Sequence, residues 1–281
     1  MSVAERIAVR LPAGAKSAAQ AGLSVVDPLV VARHRRRTGD RRPIPPVALR
    51  ARVGGVSIAS FQDTGAWTAD LVETAFAGAG RDLGASGPVL DLACGCGRTL
   101  APLAERHPGL ELHGCDIDRP AVRWLARNHP RISTAVNGFA PPLPYPDGHF
   151  GAVYSISLFT HLDAAGQDAW IAEVRRVLAP GGLAVLSVHS PEAFEAFASG
   201  ERPTAIPAEQ IAQHRPLDAA GFVYEASPPS RWNALRFIES GKGWGLAFHT
   251  EAWLREHWAP HFASLRVLRT GEPQEAVLLE A

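Results

Sequence analysis

Val89-Leu90-Asp91-Leu92-Ala93-Cys94-Gly95-Cys96-Gly97-Arg98-Thr99-Leu100 decides the fold of this 281-residue chain. Residues 89–93 form a short apolar run of strand type, and 94–98 make a tight glycine turn. From Thr99 onward Leu100, Leu103 and Ala104 fall at helical spacing. A strand, a glycine turn and a helix start form a pocket that cradles a nucleotide-like ligand. The next strand reads Leu112-His113-Gly114-Cys115-Asp116-Ile117-Asp118. Asp116 ends it about twenty residues beyond Gly97, where such folds place a carboxylate that accepts hydrogen bonds from ribose hydroxyls.

A dinucleotide fingerprint needs a third glycine so that the backbone can approach a pyrophosphate. Here Leu100 stands in that place, and the acidic Asp91 opens the loop. A carboxylate beside the turn suits a ligand carrying an ammonium and a sulfonium better than one carrying a pyrophosphate. The segment resembles motif I of the class I S-adenosylmethionine (SAM) dependent methyltransferases, with Ala93 where that pattern has its first glycine. The resemblance implies SAM as cofactor. It places Asp91, Ala93, Cys94, Gly95 and Gly97 at the methionine end, and Asp116 and Ile117 at the ribose and adenine.

Lys and Arg total 28 and Asp and Glu total 28, so the whole chain carries no electrostatic bias toward nucleic acid or anionic membrane. No apolar run approaches the roughly 18–20 residues of a membrane span. The N-terminus lacks a compact apolar core before a cleavage site, so secretion is not expected. The three cysteines, Cys94, Cys96 and Cys115, all fall in the motif strands. They make no disulfide framework, and the reading is cytoplasmic. With His113 they invite a metal interpretation. Metal knuckles usually offer Cys-x-x-Cys pairs, so buried small thiols explain them better and no metal is expected.

Residues 1–45 are rich in Ala, Arg and Pro, and read as a flexible basic tail carrying Arg33, Arg35, Arg36, Arg37, Arg41 and Arg42. No aromatic residue interleaves that tract, which argues against a stacking nucleic-acid surface. Residues 46–85 read as a helical lead-in, with Trp67, Leu71, Val72, Ala75 and Phe76 at helical spacing and Phe61 and Trp67 as core or pocket-mouth residues. The main domain is expected over 86–281. Asp118 caps a helix bearing Val122, Leu125 and Ala126. Residues 151–158 form strand four, Trp170, Ile171, Val174 and Val177 mark a helix, and 183–188 form strand five after a Pro180-Gly181-Gly182 loop. Such alternation implies a parallel sheet with helices on both faces. Residues 191–245 read as an insertion lying over the carboxyl ends of the strands. Thr250 caps a last helix before two terminal strands near 264–268 and 276–279.

The resemblance extends from about residue 46 to the end. Leu143-Pro144-Tyr145-Pro146-Asp147-Gly148-His149-Phe150 looks like the family's entry to strand four, and Val177-Leu178-Ala179-Pro180-Gly181-Gly182 like its loop before strand five. It implies a Rossmann-like, doubly wound, mostly parallel seven-stranded sheet. The lead-in and the segment around Gly243-Trp244-Gly245 and Phe248-His249-Thr250 are similar to a bacterial small-molecule methyltransferase subgroup. Two positions depart from the pattern. Phe139 replaces the Asp that holds the adenine amino group, leaving adenine to stacking, Ile117 and the backbone of Gly138, Phe139 and Ala140. Gly151 replaces an Asp after Phe150.

The function implied is methyl transfer from SAM to an oxygen or nitrogen of a small molecule, such as a sugar or natural-product intermediate. Ser155 would contact the amino-acid end of SAM through its backbone. A hydroxyl acceptor calls for a general base, for which histidine is best matched to neutral pH. His161, His189 and His249 are the candidates, although a packed or surface histidine is the commoner fate of each. His249 lies beside the glycine-rich 241–245 loop. Two alternatives are a SAM-binding protein without methyl transfer and a macromolecule methyltransferase using the arginine tract. Against the latter, Tyr154-Ser155-Ile156-Ser157 stands where amino-methylating nucleic-acid enzymes carry Asn/Asp-Pro-Pro-Tyr/Phe.

Overall fold

All four residues of the first motif strand, β1 (Val89–Leu92), are buried, as expected of a strand covered on both faces. In the computed structural model, residues 13–53, 55–204, 206–227, 245–270 and 274–281 are described, with side chains from residue 22 onward. β1 pairs in parallel with β2 (Leu112–Asp116) and β4 (Phe150–Ser155). β3 (Ser133–Val136) flanks β2, and β5 (Leu178–His189) flanks β4. β9 (Gln274–Glu280) and β8 (Ser264–Leu268) complete the sheet antiparallel, in the order β3-β2-β1-β4-β5-β9-β8. This is the Rossmann-like arrangement. The strand order reverses between β1 and β4, and ligands of open α/β sheets bind in the crevice at the carboxyl ends of strands around such a switch point.

Successive residues of β1 point to opposite faces. Leu90 and Leu92 join one core with Phe150, Val153, Trp170, Ile171, Val174 and Trp258. Val89 joins the other with Val72, Phe76, Leu100, Leu103, Leu125 and Tyr154. The first core is covered by α6 (Ala164–Val177) and α10 (Glu251–His257). The second is covered by α3 (Ile58–Gly78), α4 (Leu100–Arg106) and α5 (Arg119–Asn128).

Two boundaries differ from the sequence pattern. β4 stops at Ser155 rather than near 158, because Ser157 turns into the left-handed region at φ 69°. Pro180-Gly181-Gly182 does not end the preceding element. It forms an irregularity inside β5, where the register moves from Phe150↔Leu178 to Ala152↔Leu183.

The amino-terminal region differs more. Ala13–Thr38 is a helix, α1, where the sequence reads as a flexible tail. Ala and Arg favour helix without needing an apolar stripe. The short α2 (Val47–Arg50) receives α1 through a buried ion pair. Arg50 is 1% exposed, and its Nη2 donates to Asp27 Oδ1 at 2.6 Å, with further bonds to the carbonyls of Pro45 and Val56.

The 191–245 insertion carries α7 (Pro191–Ala198), α8 (Ala208–Ala212), α9 (Leu217–Ala220) and strand β6 (Phe222–Ala226). β6 pairs antiparallel with β7 (Gly245–His249). Phe194, Ile211, Leu217, Val223 and Phe248 give this unit a small core of its own. Residues 241–244 of the glycine-rich loop, including Trp244, lie outside the described residues.

Candidate active site

Three left-handed residues shape the motif turn: Ala93 at φ 69°, Gly95 at 55° and Gly97 at 81°. Ala93 is the costly one, since a Cβ in this region adds strain of order 1 kcal/mol. The turn is tied to β2, for the N–H groups of Ala93 and Cys94 both donate to the Cys115 carbonyl at 2.9 and 3.0 Å. Asp116 completes the tie. Its Oδ2 accepts the Gly95 N–H and its Oδ1 the Asp118 N–H, each at 2.7 Å. Each carboxylate oxygen keeps a second lone-pair direction, so the group can also accept from a vicinal diol. Burial raises its pKa above the usual carboxylate range.

Asp91 lies one strand away, 3% exposed, in register with Tyr154 of β4. Burial pushes its carboxyl up to about 8; the Tyr154 hydroxyl and Arg98 pull it down, and the Asp116 charge adds to the rise. A carboxyl held this way is stable as the acid until a cation arrives, and an ammonium group satisfies it. The donor set therefore fits a ligand with a cationic amino-acid end and a ribose, separated by the length of the turn.

The loop after β3 folds back on the end of β2. Asn137 N–H donates to the Asp116 carbonyl at 3.3 Å, which brings Gly138, Phe139 and Ala140 beside Ile117. Phe139 is 46% exposed and presents an aromatic surface there. Ser155 is fully buried, and its hydroxyl donates to the Leu92 carbonyl at 2.7 Å, locking the ends of β1 and β4 together. Gly151 has a steric explanation: a Cβ there would fall 1.6 Å from the Ser86 carbonyl oxygen. The cysteines are buried thiols, Cys94 at 5%, Cys96 at 1% and Cys115 at 0% exposure, and burial pushes Cys96 up to about 12.

Sequence reasoning missed the cover on this turn. A Cβ on Gly95 would meet Val53 Cγ1 at 2.6 Å, and Arg98 donates to the Val53 carbonyl. Arg52 Nη1 bridges both oxygens of Asp118 at 2.8 and 2.6 Å. Helix α3 touches the same turn through Gly65, whose Cβ would lie 2.4 Å from the Arg98 carbonyl oxygen. A glycine inside a strongly apolar helix was the one available signal for this close approach.

The three histidines divide. His161 and His189 both face β7. Nδ1 of His161 donates to the Gly245 carbonyl at 2.7 Å, and Nδ1 of His189 to the Ala247 carbonyl at 3.1 Å. A carbonyl only accepts, so each ring carries a proton on Nδ1, and in the neutral form of such a ring the lone pair is on Nε2. His161 is half-buried. His189 is 4% exposed, and burial together with the neighbouring His161 lowers its pKa to about 3. His249 stands apart, packed among Phe222, Trp253 and Trp258 with ring centroids 5.1–5.9 Å away. It donates from Nε2 to Gln167 Oε1 at 2.9 Å, and burial lowers its pKa to about 3. This is the environment of a neutral packing residue. A polar cluster that the sequence did not reveal joins Ser157, Ser187 and Gln274 across three strand ends, with separations of 2.7–2.9 Å.

The family model for "Methyltransferase domain" matches residues 89–182. Residues 89–182 thus form a methyltransferase domain. A 23S rRNA (guanine(748)-N(1))-methyltransferase of Streptomyces fradiae is 36% identical over 126 residues, 44% of this chain and 41% of that protein. A demethylmenaquinone methyltransferase of Thermus thermophilus is 36% identical over 112 residues, 39% of this chain and 50% of that protein. The matched segment thus spans half or less of these relatives' own lengths. The PH0226 protein of Pyrococcus horikoshii superposes with a TM-score of 0.49 at 20% identity, covering 69% of this chain and 81% of that one. Among the described residues no helix is long and apolar enough to cross a membrane.

Proposed function

We propose that this protein is a SAM-dependent methyltransferase acting on an oxygen or nitrogen of a small molecule. When bound, SAM supplies a methyl group on a positively charged sulfur, which departs as neutral thioether when the acceptor attacks the carbon in line. Asp91 is assigned to the ammonium end and Asp116 to the ribose hydroxyls. The turn backbone at Ala93, Cys94, Gly95 and Gly97 holds the methionyl portion, with Ser155 beside it. Ile117 and the Gly138-Phe139-Ala140 loop flank the adenine, where the exposed Phe139 ring stacks in place of a hydrogen-bonding carboxylate.

His161 is assigned as the base that takes the acceptor's proton, through the Nε2 lone pair set by the Gly245 carbonyl. His189, with its pKa near 3, stays neutral at working pH and acts in shape and polarity. His249 supports the hairpin. The observation that carries the small-molecule reading is the placement of β7. Its Gly245 and Ala247 N–H groups donate to the His161 and Thr160 carbonyls at 3.1 and 2.9 Å, so the insertion lies against the segment that follows β4. A covered strand end suits a compact acceptor and excludes bulk water from the transfer.

A second reading has its own support. Arg35, Arg36 and Arg37 are exposed at the end of α1, and the Streptomyces relative bears the name of an rRNA methyltransferase. Purified protein incubated with SAM and either hydroxyl- and amine-bearing metabolites or ribosomal RNA distinguishes the two. S-adenosylhomocysteine with a small product heavier by one methylene supports the proposal. Methylation of RNA that disappears in an Arg35/Arg36/Arg37→Ser variant overturns it in favour of the macromolecule. Tight SAM binding with no S-adenosylhomocysteine from any acceptor favours a SAM-binding protein without transfer.

A further inference from the structure

Opposite the crevice, at the amino-terminal edge of the sheet, Glu111, His113 and His149 converge so that one ligand atom from each lies within 4.8 Å of the other two. Two structural causes bring them together. Glu111 and His113 are two residues apart at the start of β2, and alternate strand residues share a face. His149 arrives from the loop that leads into β4. The His113 ring packs against Tyr145, His149 and Phe150 at centroid distances of 5.8, 5.5 and 5.2 Å, and Tyr145 and His149 stack at 6.2 Å.

The cluster is not a plain surface ion pair. His113 is 8% exposed, and its Nε2 sits 2.9 Å from Glu111 Oε1. Its Nδ1 is buried with no hydrogen-bond partner. Most buried polar atoms are hydrogen-bonded, so an orphaned imidazole nitrogen beside two further ligand groups leaves a place for an ion. Two imidazoles and one carboxylate are a donor set that takes zinc or a similar first-row divalent ion, with the remaining position left to water. Hard oxygen-seeking ions such as magnesium and calcium are poorly served by it. The ligand atoms need to draw in by only an ångström or so, through side-chain rotation of the exposed Glu111 and half-buried His149.

We propose that Glu111, His113 and His149 form a zinc-type metal site that clips the loop entering β4 to the start of β2. Three residue steps along β2 separate His113 from Asp116, about 10 Å along an extended strand, so the site acts on stability rather than on the methyl-transfer chemistry. The buried thiols of the motif turn take no part.

The test is calorimetry and metal analysis of the full chain, stripped with chelator and titrated with Zn²⁺ alone. One equivalent bound at micromolar concentration or tighter, with a rise in melting temperature, is expected. His149→Gln and Glu111→Gln, both at accessible positions, are expected to weaken binding on the order of 100-fold and 10-fold respectively, while folding in the absence of metal is retained. His214→Gln serves as control, because His214 pairs with Glu225 elsewhere on the surface; it is expected to leave binding unchanged. Absence of stoichiometric binding overturns the site, as does equal binding by wild type and His149→Gln. Loss of binding in the His214 variant also overturns it, by placing the ion elsewhere.

Discussion

The two halves of the crevice are built by different means. The half around the glycine turn comes from two adjacent strands, residues 89–98 and 112–118, and its working parts are backbone conformations fixed by Cys115 and Asp116. The half around the histidines is assembled from Ser157, His161, Ser187, His189, Gly245, Ala247 and Gln274, which meet only when four separate segments have packed. The first half is local, and it falls within the residues that the methyltransferase-domain model matches. The second is made by the insertion and the carboxyl-terminal strands, and so it can be particular to this chain.

The comparison breaks most visibly if the two halves fail to separate kinetically. His161→Asn is expected to lower kcat about 10²–10³-fold, the usual contribution of a positioned base, while SAM affinity measured by calorimetry stays as in wild type. Equal loss of SAM affinity would show that the histidine belongs to the cofactor half. Asp116→Ala is the converse. It is expected to weaken SAM binding about 100-fold, roughly the 3 kcal/mol of two charge-assisted hydrogen bonds. Unchanged affinity in that variant would remove the cofactor assignment.

Acid sharpens the contrast further. In the unfolded chain His189 and His249 take up protons below about pH 6.5, whereas in the folded state both stay neutral until about pH 3. Their contribution to stability is complete above pH 6.5 and is lost as pH falls toward 3. At pH 5.5 the loss is roughly 1 kcal/mol for each, read as a lower midpoint in urea. His249→Gln is expected to flatten part of that slope. A pH profile of binding addresses Asp91, whose carboxyl sits at about 8 without ligand. An ammonium ligand requires the carboxylate, so SAM affinity should rise up to about tenfold per pH unit from 6 toward 8 and fall again above, as the ligand's α-amino group loses its proton. Asp91→Asn should bind weakly with no such rise, and a flat wild-type profile would detach Asp91 from the cofactor.

The division between local and assembled also explains what could be read in advance. Strand, turn, helix and acidic strand end all lie within one short stretch of chain, with composition and period agreeing. The sheet was therefore legible, and the glycine turn and acidic strand end that carry the cofactor assignment could be placed on it. Gly151 looked like a departure from pattern, and only the passing Ser86 carbonyl explains it. Helix α1 was hidden because its residues 22–38 make few apolar contacts; a single carboxylate, Asp27, does the anchoring. The β6–β7 hairpin was hidden by the glycines and prolines around it. The three histidines were found by type and position, yet their separation into a pair and a packed residue depends on the carbonyls of β7 and on Gln167. Nothing in the neighbouring sequence encodes those partners.

The ion pair between Asp27 and Arg50 bears on how small an independently folding version of this protein can be. A chain begun anywhere after Asp27 would leave the Arg50 guanidinium enclosed and uncompensated, at a cost of about 3–5 kcal/mol, a large fraction of a typical domain's margin. One begun near residue 86, just ahead of the first strand, would also strip Val72 and Phe76 from the sheet. The autonomous unit therefore reaches well upstream of the segment that defines the fold, and trimming to that segment should yield insoluble material rather than a minimal enzyme.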